Sequence, residues 1–297
     1  MESRGGALLR LGLVGTDCPH ADYYVRYLNV DKAYEGFRFV AIAGGQTQRN
    51  IELAELGGVE EIVDDVSALI DRVDVAVVGH MHGGLHRQSA VPLLTAGKHV
   101  YIEKPLAVTV ADAEAIIEAA RQADVVVGSS SGMRFSPLVD KLRDSASRLG
   151  ELQVLSVGGP TNPELPYGGH IFYGCHTVEF AMEVLGNPEF SNDVHVEQAN
   201  HDITVIGRTE TKPPIRLIMS LVKIDEGAEE MWGAMMIGSG GIVASEVGDP
   251  SDHYFPVTRG LAKFLDAVNM NAQQTPYGQL VAPVKLFENI SKAQLAT

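Results

Sequence analysis

The sequence predicts an α/β protein: a doubly wound domain built on a parallel sheet, residues 1–130, followed by a second α/β domain with a mostly antiparallel open sheet, residues 131–297. Three observations carry this. Short runs rich in Val and Ile alternate with helical patterns through the first part of the chain, as βαβ units do. Those runs are apolar at nearly every position, which is the pattern of strands buried on both faces. After Gly128 the stretch "SSSGMRFSP" interrupts the alternation with Ser, Gly and Pro, and beyond it strand patterns follow one another in series.

The first-domain strands are expected at 8–14, 37–43, 75–78, 100–102 and 125–127, with helices at 21–29, 51–56, 85–96 and 111–123. The last of these helices is well delimited. Thr109 is placed to cap it, Asp112 and Glu114 sit near the positive end of its dipole, and Ile116, Ile117 and Ala120 form an apolar stripe. In the second domain a helix is expected at 138–149 and a strand at 153–157. The run "HTVEFAMEVLG" places Val178, Ala181, Met182 and Leu185 on one face ahead of Gly186, which reads as a helix and its stop signal. Strands are expected at 194–196, 203–206, 215–222, 234–237 and 242–244, then helices at 261–270 and 284–294. The acidic stretch 226–230 is expected to be a solvated loop, and the methionines of "MWGAMMIGSGG" to pack in a core or subunit interface.

Composition narrows the partners. A chain of 297 residues with 45% hydrophobic content can bury a substantial core. With 23 Lys+Arg against 38 Asp+Glu the net charge is -15, which opposes nucleic acid and anionic lipid and points to a small-molecule partner. No apolar run has the length of a membrane span, and the N-terminal stretch has no small-residue cleavage site, so no signal peptide is expected. Cys18 and Cys175 form no metal or redox motif, so a cytoplasmic setting is expected. An open sheet needs covering, hence a homodimer or homotetramer.

The stretch "LRLGLVGTDCPHADYYV" opens like the strand, turn and helix of a dinucleotide site. Gly15 stands at the first glycine of G-x-G-x-x-G, while Asp17 and His20 occupy the other two positions. Asp17 brings a charge that opposes a diphosphate, and His20 can donate to one. Gly15, Thr16, Asp17 and His20 are therefore candidate cofactor contacts. At the end of the second strand Gly44 and Gly45 stand where an acid would bind the adenosine ribose of NAD, and Gln46, Thr47 and Arg49 offer donors to a 2′-phosphate. The expected cofactor is NAD or NADP, with the preference open.

The segment "AGKHVYIEKPLAVTVADAEAIIEAA" joins a strand, Glu-Lys-Pro and a capped helix in the fifth β-α unit. Together with "SGMRFSP" and "GGHIFYGCHTVEFAMEVLG" it resembles the glucose-fructose oxidoreductase / inositol dehydrogenase (Gfo/Idh/MocA) family over most of the chain. The resemblance implies an N-terminal Rossmann domain binding NAD(P), a second domain whose open sheet serves oligomerisation, and oxidoreduction of a sugar, cyclitol or related polyol. By position it implies Lys104 and His176 as catalytic residues; Arg134, His170 and Tyr173 are candidate substrate contacts beside them. Hydride transfer from a carbinol needs a group to take the hydroxyl proton, and lysine and histidine both suit that role.

The resemblance has departures. Phe172 stands where the family has an aspartate four residues before the histidine, so proton handling falls to other groups, with His170, Tyr173 or Glu179 as candidates. The loop "GHMHGGLH" replaces a Thr-Pro-Asn motif and keeps only His86 in place; Gly79, His80, His82, His86 and Glu103 are candidate cofactor contacts along this side. Neither the histidines of that loop nor the group His170, Cys175, His176 and Glu179 has a recognised ligand spacing, so no metal is expected. Two further readings stay open: an NAD-dependent glycoside-cleaving enzyme that oxidises its substrate transiently, and a ligand-binding or regulatory member without catalysis.

Overall fold

A computed structural model describes residues 8–225, 232–246 and 254–295; the stretch 226–230 lies outside these. The first sheet contains β1 (Leu9–Val14), β2 (Phe37–Ala43), β3 (Glu61–Val63), β4 (Val75–Val78), β5 (His99–Ile102) and β6 (Val127–Ser129), ordered β3-β2-β1-β4-β5-β6. All five pairings are parallel. The order reverses direction between β1 and β4, the place where open α/β sheets bind ligands. The helices are α1 (His20–Val25), continuing into a π-helical turn Arg26–Val30, α2 (Thr47–Gly57), α3 (His86–Thr95) and α4 (Val110–Ala123). Thr109 caps α4 as expected, its Oγ1 accepting from the Asp112 N–H at 3.1 Å.

The central strands form where apolar runs are uninterrupted, and every residue of β4 is buried. Two elements depart from expectation. β3 has three residues, mostly exposed, and gives no apolar run to read. β6 lies two residues beyond the expected 125–127, because Val127 is the residue that pairs with Val100.

The second domain contains α5 (Pro137–Ala146), β7 (Leu152–Thr161), α6 (Ile171–Val184), β8 (His195–Ala199), β9 (Asp202–Arg208), β10 (Arg216–Lys223), β11 (Gly233–Gly238) and β12 (Gly241–Glu246). Its sheet has the order β12-β11-β7-β10-β9-β8. It is antiparallel except for β7 with β10, a parallel pair made possible by the long connection through α6, β8 and β9. One face packs on α5 and α6 through Leu155, Val157, Val205, Met219 and Phe180. Ile206, Met235 and Ile242 are exposed.

The chain then crosses back. In α7 (Tyr254–Met270), Leu261, Phe264 and Leu265 enter the core formed by Leu11, Phe39 and Tyr101 of the first sheet. In α8 (Tyr277–Gln294), Leu280 and Val284 pack against the first domain, and Leu286, Phe287 and Ile290 against the second. Both helices begin about a turn or two before the expected start. Pro283 lies inside α8, where a sequence reading would place a helix start.

Candidate active site

The site is built from loops at the C-terminal ends of β1, β4 and β5, faced by α6. After β1 the chain turns at Gly15, whose φ is +76° and whose added Cβ would overlap the His80 ring; only glycine meets both demands. Thr16 is fully buried, and its hydroxyl donates to Asn50 Oδ1 at 2.6 Å while Asn50 Nδ2 donates to the Gly44 carbonyl at 2.6 Å. That chain ties the first turn to the end of β2. The Thr16 side chain is therefore part of the scaffold.

Asp17 reaches across to the loop after β4. Its Oδ2 accepts from the Met81 N–H at 3.1 Å and its other oxygen is 3.9 Å from His80 Nδ1. His80 Nε2 meets Ser89 Oγ at 2.8 Å, and burial lowers its pKa. His82 caps its own turn, Nδ1 accepting from the Gly84 N–H at 2.9 Å. His86 is fully buried between two carbonyls, Pro105 O at 2.8 Å and His80 O at 2.9 Å, and burial lowers its pKa too. It joins the β4 loop to the Glu-Lys-Pro loop.

Glu103 is 2% exposed. Its Oε1 lies 2.9 Å from His20 Nδ1, and Oε2 accepts from the Tyr24 hydroxyl. Burial alone would raise this carboxyl, but the charge and hydrogen bond of His20, the Lys104 ammonium and Tyr24 together hold it at about 2. The site thus contains a buried, ionised carboxylate directly before Lys104. Lys104 is buried as well, with Nζ 4.6 Å from the centroid of the Phe172 ring, a cation–π contact across to α6. Where the resemblance leads one to expect an aspartate, an aromatic face receives the ammonium. Cys18 and Cys175 are both buried, and burial pushes each thiol up to about 12, so neither is a nucleophile near neutrality.

On α6, His176 Nδ1 is 2.6 Å from Ser131 Oγ and its ring meets Trp232 edge-on, centroids 5.9 Å apart. His170 Nδ1 meets Thr161 Oγ1 at 3.0 Å, and burial lowers its pKa. Tyr173 packs edge-on against Phe172. Arg134 is not among this group. Its guanidinium is 2.6 Å from Glu179 Oε2, 3.0 Å from Glu183 Oε2 and 2.6 Å from Asn187 Oδ1, a partner set that fixes the inter-domain connection. Glu179 is thereby a structural anion.

Sequence reading overlooked Tyr24, Asn50, Ser131 and Trp232. Tyr24 had a signal, since it lies four residues after His20 and shares its helix face. The others come from distant segments. A cavity of about 450 Å³ lies among β6, α6 and α7, lined by Tyr101, Ser130, Arg134 and Lys263 but not by Gly15, Lys104 or His176. Among the described residues, Cys18, His20 and Glu103 form a group compact enough to hold a cation, their ligand atoms within 4.8 Å of one another.

A dinucleotide fits the first-domain crevice. Gly15 and Gly79 present bare backbone at the β1/β4 switch, and at Gly44, with φ +66°, nothing lies within 4 Å of where a Cβ would be. Arg49 is paired with Asp22 and donates to the Thr16 carbonyl, so the arginine expected to meet a 2′-phosphate has other partners.

Comparison with known proteins agrees. Residues 9–131 match the Gfo/Idh/MocA family model, described as an oxidoreductase family with an NAD-binding Rossmann fold. A 1,5-anhydro-D-fructose reductase of Ensifer adhaerens is 31% identical over 46% of this chain and 40% of its own length. A myo-inositol 2-dehydrogenase of Thermotoga maritima is 30% identical over 49% and 47%, and a D-glucoside 3-dehydrogenase of Escherichia coli 30% over 61% and 55%. The chain thus spans about half the length of the curated relatives it matches. Two solved structures share the fold nearly end to end. GenD2 from gentamicin A biosynthesis in complex with NAD has a TM-score of 0.82 at 17% identity, covering 99% of this chain and 97% of that one. A myo-inositol 2-dehydrogenase from Lactobacillus plantarum has 0.81 at 13%, covering 97% and 98%. Residues 9–131 are thus similar to the Gfo/Idh/MocA oxidoreductase family, and over nearly its whole length the chain shares the two-domain fold of these solved structures.

Proposed function

We propose that the chain is an NAD(P)-dependent oxidoreductase acting on a CH–OH carbon of a sugar, cyclitol or related polyol. The observation that carries this reading is Lys104, buried at the end of β5 in a family-matched NAD-binding domain, between the ionised Glu103 and the Phe172 face of the helix that bears His176. The names of the relatives, reductases and dehydrogenases of anhydrofructose, inositol and glucoside, point to the same substrate class.

Residues 1–130 form the cofactor domain and 131–297 the substrate and subunit domain, with α7 and part of α8 completing the first core. When bound, the nicotinamide supplies or accepts hydride. Backbone at Gly15, Gly44 and Gly79, with His20 and His80 nearby, would hold the dinucleotide. Lys104 orients the reacting oxygen by donating to it, and His176 takes the hydroxyl proton in oxidation or returns it in reduction. Glu103 keeps the Lys104 region electrically balanced. His170 and Tyr173 line the substrate side.

The second sheet's outer face carries Ile206, Met235 and Ile242, exposed by 36%, 37% and 63%. A second copy of the chain covers this face in a homo-oligomer. The buried free thiols suit a cytoplasmic setting, and the charge of -15 disfavours nucleic acid. Among the described residues no helix is long and apolar enough to cross a membrane.

The test is calorimetric titration with NAD(H) and NADP(H), then turnover over a panel of polyols. Lys104→Ala is expected to lower kcat by roughly 10²–10⁴-fold, the range for losing a group that assists proton transfer. No affinity for either dinucleotide would overturn the reading. An unaltered rate in the variant would remove Lys104 from it.

A further inference from the structure

His176 has a ring nitrogen held by a residue that lies outside its own helix. Ser131 belongs to the connection between the domains, yet its Oγ is 2.6 Å from His176 Nδ1, the short end of the range for a hydroxyl and a ring nitrogen. Ser131 is completely buried, and three further contacts hold it still. Its N–H donates to Glu179 Oε2 at 2.9 Å, its Oγ accepts from the Met133 N–H at 3.1 Å, and Glu179 Oε2 is itself fixed by Arg134 Nε at 2.6 Å. Arg134 is anchored in turn by Glu183 and Asn187. On the other side the Trp232 edge confines the imidazole, and Trp232 Nε1 donates to Thr177 Oγ1 at 3.2 Å.

We propose that Ser131 is a positioning residue for His176, engaging Nδ1 so that Nε2 is the one nitrogen through which the ring exchanges a proton with substrate. The inference rests on the function proposed above. A hydroxyl suits this place because it has two acceptor lone pairs and one donor. The Met133 N–H occupies one lone pair, and in the arrangement proposed the other accepts Nδ1–H. The ring in this arrangement keeps its Nδ1 partner when Nε2 is unprotonated and can take the substrate proton, and also when both nitrogens are protonated. No heavy atom has to move between the two states. The buried Glu179–Arg134 pair makes the hydroxyl's position part of the domain connection, which explains why these charges sit behind the site without reaching substrate.

The experiment uses the full chain. In wild type, ¹⁵N spectra of the His176 ring are expected to show a single neutral tautomer protonated at Nδ1, and in Ser131→Ala a mixture. Ser131→Ala is expected to lose about tenfold in kcat, with KM and dinucleotide affinity within about twofold of wild type, and Ser131→Thr to recover most of the loss. A wild-type ring that averages between tautomers, or one fixed with its proton on Nε2 while the Ser131 hydroxyl donates to Nδ1, would overturn the proposal, as would a Ser131→Ala enzyme with unchanged kcat or one whose loss falls in KM. The tautomer measurement needs no turnover, so failure of this inference is separable from failure of the dehydrogenase reading, which dinucleotide titration decides.

Discussion

Replacing Glu103 by Gln removes one buried charge while keeping the side chain's shape. Glu103 accepts from Tyr24 and meets His20 at 2.9 Å, and its carboxyl lies at about 2 against an ordinary 4.5. A depressed folded-state value stabilises the fold fully above pH 4.5 and loses that contribution as pH falls toward 2. At about 1.4 kcal/mol per pH unit, the interval corresponds to about 3 kcal/mol. Urea unfolding of wild type and Glu103→Gln at several pH values between roughly 3 and 7 reads it directly. Near neutrality the variant is expected to be less stable by about 3 kcal/mol, with a further pH-independent loss of about 1 kcal/mol because the amide cannot accept from both donors. Below pH 4.5 the gap should narrow by about 1.4 kcal/mol per pH unit. A gap that is constant with pH, or smaller than about 1 kcal/mol near neutrality, would refute the assignment of a buried, ionised Glu103.

Three further outcomes follow from named contacts. Gly15→Ala places a Cβ at φ +76° and into the His80 ring; it should destabilise the chain by about 1–3 kcal/mol in thermal melts and weaken dinucleotide binding. Asp17→Asn keeps an acceptor for the Met81 N–H but removes a negative charge from the turn. Dinucleotide affinity should rise roughly fivefold by calorimetry, the effect of about 1 kcal/mol at a solvated site, and unchanged affinity would show that the carboxylate does not face the diphosphate. Arg134→Met leaves the buried Glu179 without its cation, while Glu183 keeps Arg143, and should cost about 3–5 kcal/mol in denaturant unfolding; a loss below about 1 kcal/mol would show that the pair is dispensable.

The readable parts of the fold were those where one segment's own pattern decides its state. β1, β2, β4 and β5 are apolar on both faces, and α4 carries its cap, charges and stripe within a few residues. β3 was invisible because three exposed residues at a sheet edge need no apolar pattern. The early starts of α7 and α8 were hidden by Pro256, Gly260 and Pro283, which read as breakers in isolation but lie in helices held by packing, α7 on the first domain and α8 on both. In the site, Lys104 and His176 were proposed from their motifs. Their partners were not, because nothing local to "SSSGMRFSP" marks Ser131 as the neighbour of a histidine 45 residues on.

By itself the sequence determined the α/β class and the order of most strands and helices, and it pointed to a cofactor crevice behind Gly15. Each of these follows from periodicity, backbone sterics or short-range capping. The tertiary structure decided which partners the candidate side chains have. It turned Arg134 toward Glu179, enclosed His86 between two carbonyls, placed Lys104 on the face of Phe172 and joined His20 to Glu103, 83 residues apart. The role of a buried polar group depends on the partner that compensates its desolvation, and here those partners come from distant parts of the chain.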